Sequence, residues 1–303
     1  MSPEPMSSPI ERAEGQQQRR LNVGCGRTYH PDWCNLDLES NDPRVIRHDV
    51  TRGLPFADEQ FDAVYHSHVL EHLKPEDGAA MIRECYRVLK PGGVLRIVVP
   101  DLERIARLYL EMHELAWAGD EQARTDYNWI KLELLDQLVR EYSGGRMGRY
   151  MADPDIQNSD FVRSRVGDEF WICREPEGVE THSPRDSMRK RLSRNWRNVR
   201  ESIVRSVTRL LLGSDAVEAM DEGLFRSRGE IHRWMYDRFS LKELCQQTGF
   251  VDFRVCAADE SDIEDFEQFE LDTSGTEVRK PDSLFVECRK TPLAAQQPLR
   301  RAS

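Results

Sequence analysis

Leu21-Asn22-Val23-Gly24-Cys25-Gly26 is the stretch on which the fold turns: a short strand-like run leads straight into a glycine turn. Gly24 and Gly26 lack Cβ atoms, so the backbone there can take positive φ and let a ligand come close. A purely structural β-turn uses the same letters. The third glycine of a dinucleotide fingerprint is replaced by Tyr29, which disfavours an NAD-type turn. Outward from this turn, short apolar runs alternate with turns from about Arg20 to Pro100. Strands are predicted at Leu21–Val23, Trp33–Leu38, Val45–His48, Phe61–Tyr65 and Val94–Val99. The last of these, VLRIVV, is apolar apart from one Arg, as expected of a strand covered on both faces.

A helix is predicted from Pro75, which can sit at its first position. Gly78, Ile82, Cys85 and Leu89 then share one face, and Pro91-Gly92-Gly93 stops the helix before the next strand. Strands alternating with helices imply a doubly wound parallel sheet of the α/β class. Beyond Asp101 the pattern changes. Leu102, Ile105, Leu108, Met112 and Leu115 form one helical stripe, and Ile130, Leu134, Leu135, Leu138 and Tyr142 form another. Residues 143–190 show little periodicity, and Arg189–Leu212 is basic with a helical pattern. The βα rhythm returns with the helix LKELCQQTGF, closed by Gly249, and strands are predicted at Phe253–Ala257 and Ser283–Arg289.

The chain has 303 residues, 39% hydrophobic and 32% charged, enough for one substantial core with a cap. A mean hydropathy of −0.67 and the lack of a long apolar run exclude a transmembrane helix. The first twenty residues lack an apolar h-region, so no signal peptide is expected. Seven scattered cysteines without a C-x-x-C fit a reduced, cytoplasmic setting. The net charge of −11 makes nucleic acid an unexpected partner for the surface as a whole.

Further chemistry-bearing residues follow the glycine turn in order. Asp37 ends the run Trp33-Cys34-Asn35-Leu36-Asp37, where a carboxylate can accept both hydroxyls of a ribose or simply face solvent. Asp49 in His48-Asp49-Val50 is placed to accept from an adenine amino group. Leu54-Pro55-Phe56, Phe61-Asp62-Ala63-Val64, His66-Ser67-His68-Val69-Leu70-Glu71-His72 and Arg87-Val88-Leu89-Lys90-Pro91-Gly92-Gly93 complete the series.

In this order the set resembles the class I S-adenosylmethionine-dependent methyltransferases, the type 11 branch in particular. The resemblance covers residues 20–100 closely. It extends to 240–257 and 283–290 as the closing helix and antiparallel strands. It implies a Rossmann-like seven-stranded sheet carrying a helical insertion or cap, with S-adenosylmethionine as co-substrate. Gly24 and Gly26, flanked by Val23 and Cys25, would line the methionine end of the cofactor. Asp37 with Leu38 would hold the ribose, and Asp49 with Val50 the adenine. The backbone of His66, Ser67 and His68 would border the sulfonium. Only ten residues separate Gly26 from Asp37, with Pro31 among them, so the usual first helix must be very short or absent. The spelling L-N-x-G-C-G with W-x-N-x-D also matches a sub-branch linked with surface-polysaccharide modification.

The domain plan expected is a tail at 1–18, a cofactor-binding half at 19–101, a helical cap at 102–228, closing elements at 229–291 and a tail at 292–303. The acceptor expected is a small molecule or saccharide hydroxyl, whose proton a base at His68, Asp101 or His232 would remove. Asp101 reads equally as a helix N-cap, and His232 as a packed surface histidine. His68-Val69-Leu70-Glu71-His72 also spells the H-x-x-E-H of inverted zincins, so a zinc hydrolase using His68, Glu71 and His72 is a rival. Capping of the following loop is the blandest role for Glu71 and His72, and the preferred one for His72; no metal is expected. A nucleic-acid methyltransferase and a non-catalytic cofactor-binding protein are the other rivals. Residues 183–212 carry nine Lys or Arg against two acids, with Leu192, Trp196, Val199, Ile203, Val207 and Leu210 in one stripe. Such a helix fits an anionic membrane, phosphate groups, or its own domain, where the acidic run 259–272 could answer it.

Overall fold

The computed structural model describes residues 18–174, 202–227 and 229–292. Five parallel strands come first: β1 (Arg20–Val23), β2 (Cys34–Asp37), β3 (Val45–Arg47), β4 (Phe61–Ser67) and β5 (Leu89–Pro100). Helix α1 (Pro75–Val88) joins β4 to β5, with Pro75 in its first turn as the sequence predicts. Its Gly78, Met81, Ile82, Cys85 and Val88 are buried. The strand β5 starts at Leu89, earlier than predicted. Leu89 pairs with Phe61, and a register shift between Phe61 and Ala63 absorbs the Pro91–Gly93 turn.

The chain returns to the sheet through α8 (Arg238–Thr248), β6 (Phe250–Cys256), a small hairpin of β7 (Thr273–Ser274) with β8 (Glu277–Val278), and β9 (Ser283–Lys290). Helix α8 starts at a capping box of Asp237 with Ser240 and ends at Gly249, whose φ is 105°. The strand β9 runs antiparallel between β5 and β6, giving the seven-strand order β3-β2-β1-β4-β5-β9-β6. This is the Rossmann-like α/β sheet the motifs imply.

One apolar layer, with Leu21, Leu36, Val64, Ile82, Leu95, Leu241 and Val286, packs α1 and α8 against one sheet face. The other face is covered by Trp33, Tyr65, Val98, Phe266, Phe269 and Phe285. The acidic run 259–272 therefore lies on the sheet: its Ile263, Phe266, Phe269 and Leu271 are buried. Its acids Asp262 and Asp272 pair with Arg254, Arg289 and Arg96.

Between β5 and α8 lie α2 (Leu102–Trp117), α3 (Glu121–Val139), α4 (Gly145–Ala152), α5 (Ser159–Val166), α6 (Glu169–Ile172) and α7 (Ser214–Arg226). Their packing departs from the predicted stripes. On α2, Ile105 is buried while Leu110, Leu115 and Trp117 are exposed. On α3 the buried face is Ala123, Asp126, Trp129, Ile130, Glu133 and Asp136, and Leu135 is exposed. The acids tolerate burial because α4, α5 and the loops around them bring partners. Arg165 Nη2 donates to Glu133 Oε1 at 2.6 Å, Asn158 Nδ2 to Asp126 Oδ1 at 2.9 Å, and Arg146 N to Asp136 Oδ1 at 2.8 Å. Around them Trp129, Met147, Met151, Val162, Val166 and Phe170 form a separate core. Helices α4 to α6 occupy the stretch without visible periodicity.

Of the basic segment, residues 202–212 are helical, and Ile203, Val207 and Leu210 on its apolar stripe are exposed. Leu192, Trp196, Val199 and most of its basic residues lie outside the described residues, as do the two tails apart from Gln18 and Pro292. Among the described residues no helix is long and apolar enough to cross a membrane.

Candidate functional site

The strand order reverses between β1 and β4, and a crevice outside the carboxyl ends of strands is where ligands bind in such sheets. The glycine turn sits there. Gly24 has φ of 66°, and a Cβ built on it would stand 2.3 Å from Val69 Cγ2, so the turn can press against the loop after β4 only without a side chain. Gly26 has φ of 53° and open space where a Cβ would be. Gly24 N and Cys25 N both donate to Leu36 O, at 2.7 and 3.1 Å, folding the turn back onto β2. Residues 24–33 hold turns and no helix, so the short spacing does remove the usual first helix.

Two cavities of about 600 Å³ open on this turn and share Gly24, Gly26 and His68 as walls. The first is lined further by Asn22, Cys25, Tyr65, Ser67, Asp168, Glu169, Asp272, Arg279 and Lys280. The second is lined further by Asp37, Leu38, His48, Asp49, Val50, Val69, His72, Asp77, Ser227 and Arg233.

Asp37 projects from the end of β2 into the second cavity. Its Oδ2 accepts the Gly26 N–H at 2.8 Å and its Oδ1 the Glu39 N–H at 2.9 Å, which leaves lone pairs on both oxygens. Asp49 caps the turn Val50–Arg52, accepting from Thr51 N at 3.0 Å and Thr51 Oγ1 at 2.7 Å. Hydrogen bonding from the Thr51 side chain holds its carboxyl below the usual range. Cys25 is an inert thiol, because burial, with Asp37 nearby, pushes it up to about 12. Val23 is wholly buried in the core under the turn and lines neither cavity.

His66 also lines neither. Its ring is fully buried with both nitrogens unpartnered, and burial pushes it down to about 4, so it stays neutral. His68 follows at a left-handed φ of 52°, which turns it out of the strand path and into both cavities. Its Nε2 bonds Ser283 Oγ at 2.8 Å, and its Nδ1 lies 3.1 Å from Glu71 Oε1. Asp101 stands away from both cavities as the N-cap of α2, accepting the Arg104 N–H at 3.1 Å.

Leu70–His72 forms a single 3₁₀ turn, so the i,i+4 helix face that H-x-x-E-H needs is absent. His72 does not cap the loop that follows: its ring reaches across to Ile231 O at 3.1 Å and packs on the His232 ring at 4.9 Å. His232 is 4% exposed rather than a surface residue. Glu71 lies at the centre of these histidines with no exposed surface. Burial would raise its carboxyl, but the field of His68, with His72 and His232, holds it well below the usual carboxylate range. No sequence signal marks Arg279, Lys280 or Asp168 as cavity residues, because they arrive from the end of the chain and from the insertion.

Residues 21–97 match the family model for a methyltransferase domain. A curated probable S-adenosylmethionine-dependent methyltransferase of Mycolicibacterium smegmatis is 36% identical over a match covering 27% of this chain and 37% of that protein. The match thus spans little more than a third of the relative's length. Among solved structures, a methyltransferase of Thermotoga maritima, titled a possible histamine N-methyltransferase, is 11% identical, covers 91% of this chain and 83% of its own, and has a TM-score of 0.36. An S-adenosylmethionine-dependent methyltransferase of Archaeoglobus fulgidus is 13% identical, covers 90% and 86%, and has a TM-score of 0.35. At such TM-scores the structural likeness adds nothing to what the strand order already establishes. The family match and the strand order agree on one conclusion: residues 21–97 match a methyltransferase domain and lie on a Rossmann-like sheet.

Proposed function

We propose that the chain transfers the methyl group of S-adenosylmethionine to a small-molecule acceptor, a hydroxyl of a sugar, lipid-linked saccharide or small metabolite. The observation that carries this reading is the junction of the two cavities at Gly24, Gly26 and His68. The second cavity, with Asp37, Asp49 and Val50 on its wall, takes the cofactor. The first takes the acceptor, and the methyl group passes between them.

A sulfonium is already activated, so the chain's work is alignment and exclusion of water. His68 is the one proposed base that lines a cavity, where it would take the acceptor's proton, and Glu71 Oε1 lies 3.1 Å from its Nδ1. The lining suits a hydroxyl-rich acceptor: Asn22, Glu169, Arg279 and Lys280 offer donors and acceptors. Asp168, Glu169 and Ile172 come from the insertion, which supports its role in choosing the acceptor, although Ser227 from the same insertion lines the cofactor cavity.

Calorimetric titration is expected to show S-adenosylmethionine and S-adenosylhomocysteine binding. No heat with either at millimolar concentration would end the reading. Transfer of tritiated methyl to a panel of sugar nucleotides and free sugars should fall in His68→Asn while product affinity is retained. Unchanged transfer would remove His68 as the base.

Contact of residues 183–212 with anionic lipid or phosphate belongs to the same reading, supported by the exposed Ile203, Val207 and Leu210 beside Arg205 and Arg209. Binding to phosphatidylglycerol vesicles should weaken with salt and vanish when Arg191, Arg194 and Arg197 are replaced by Gln. Binding that ignores both changes would refute it.

A further inference from the structure

We propose that Glu71, His72 and His232 bind one divalent transition-metal ion of the zinc class. One ligand atom from each residue lies within 4.8 Å of the other two. Zinc bonds of about 2.0–2.1 Å ask for closer spacing, which the three side chains reach by moving about an ångström inward.

The buried carboxylate supplies the independent reason. Glu71 has no exposed surface, and among the described residues neither of its oxygens accepts a hydrogen bond. His68 Nδ1 lies 3.1 Å from Oε1, close but not aligned as an N–H···O bond. A charge taken out of water is ordinarily paired and hydrogen-bonded, or it coordinates a metal.

Both histidines are prepared for ligation. The Ile231 carbonyl can only accept, so its 3.1 Å contact places the His72 proton on Nδ1 and leaves Nε2 with a free lone pair. His232 is 4% exposed and its ring packs on the His72 ring at 4.9 Å, which holds the two imidazoles side by side. Two imidazoles and one carboxylate suit zinc and its first-row neighbours rather than magnesium or calcium, which take oxygen ligands. His72 borders the second cavity, which gives the ion its way in.

The ion would fasten the segment after the insertion to the loop after β4. Backbone bonds already draw these together: Arg233 N and Trp234 N both donate to Glu71 O, at 2.7 and 3.2 Å. The inference does not depend on methyl transfer, since its readout is the metal itself.

The test is titration of chelator-stripped full-length chain with Zn²⁺ and Co²⁺. The expected result is one ion per chain, a visible four-coordinate cobalt spectrum, and a melting temperature raised by zinc. Glu71→Gln and His232→Asn should each weaken binding by about 100-fold or more, beyond the loss of a second-shell partner. Absence of binding by the unmodified chain at millimolar Zn²⁺ and Co²⁺ would overturn the proposal. Binding undiminished in a folded His232→Asn variant would also overturn it, because the ion would sit elsewhere.

Discussion

Arg96→Met is expected to lower the unfolding free energy by about 3–5 kcal/mol, the cost of breaking a buried ion pair from one side. Arg96 has no exposed surface and stands in the middle of β5. Its Nε donates to Asp272 Oδ2 at 2.7 Å and its Nη1 to Glu287 Oε1 at 3.0 Å. The remaining N–H groups reach Glu260 O, Ala257 O and Ala258 O, and the guanidinium lies 4.6 Å from the Phe266 ring centre. One side chain thus fastens the acidic run 259–272 onto the sheet. Glu287 would keep Arg254, at 2.6 Å, and the Asp262 N–H. Among the described residues the Asp272 carboxylate would keep the Tyr65 hydroxyl at 2.6 Å as its hydrogen-bond partner and lose its ion pair. Its carboxyl is already pushed up by burial, with Arg96 opposing, so removing Arg96 leaves the desolvation cost uncovered. Urea unfolding followed by circular dichroism measures the loss. The double variant Arg96→Met/Asp272→Leu should recover much of it, since an apolar replacement of both partners is often near neutral. A single-variant loss below about 1 kcal/mol would show that the pair behaves like a surface bridge.

The same residue marks where the sequence was legible and where it was not. VLRIVV announces a strand covered on both faces, and β5 is one, yet nothing in that pattern says what its Arg does. Its partners lie 176 and 191 residues away in the chain. The first five strands could be located because each is a short run ended by turn residues, and the two glycines mark a turn where the chain takes positive φ. The insertion hid its packing for a physical reason. Periodicity assumes that apolar faces turn inward, but α3 buries Asp126, Glu133 and Asp136 and exposes Leu135. Arg165, Asn158 and Arg140 make that orientation tolerable, and no spacing rule joins them to α3 beforehand. The histidine cluster divides similarly. His68, Glu71 and His72 stand out in sequence, but the turn Leu70–His72 rules out the helix face that spelling suggests. His232 arrives from a segment about 160 residues further along the chain, tied to the loop by backbone bonds to Glu71 and by the His72 ring.

Asp37→Ala is expected to weaken S-adenosylhomocysteine binding by about 30-fold or more. A charged acceptor serving two ribose hydroxyls contributes roughly 2–4 kcal/mol, and each 1.4 kcal/mol is a factor of ten. The structure adds a complication, because Asp37 also accepts the Gly26 N–H at 2.8 Å and so steadies the turn that faces the ligand. A loss of affinity therefore has two sources, the missing ribose contact and a loosened turn. They separate in a cycle with the ligand lacking both ribose hydroxyls. If Asp37 holds the ribose, removing the hydroxyls weakens binding to the unmodified chain about as much as the substitution does. Binding to Asp37→Ala then suffers little further loss. If Asp37 serves only the turn, the two losses add, and the deoxygenated ligand weakens equally against both proteins. Asp37→Asn sharpens the distinction: its Oδ1 can still accept one N–H, but the charge that two hydroxyls share is gone. An intermediate affinity with an unaltered melting temperature is the outcome expected for a ribose ligand held by the end of β2.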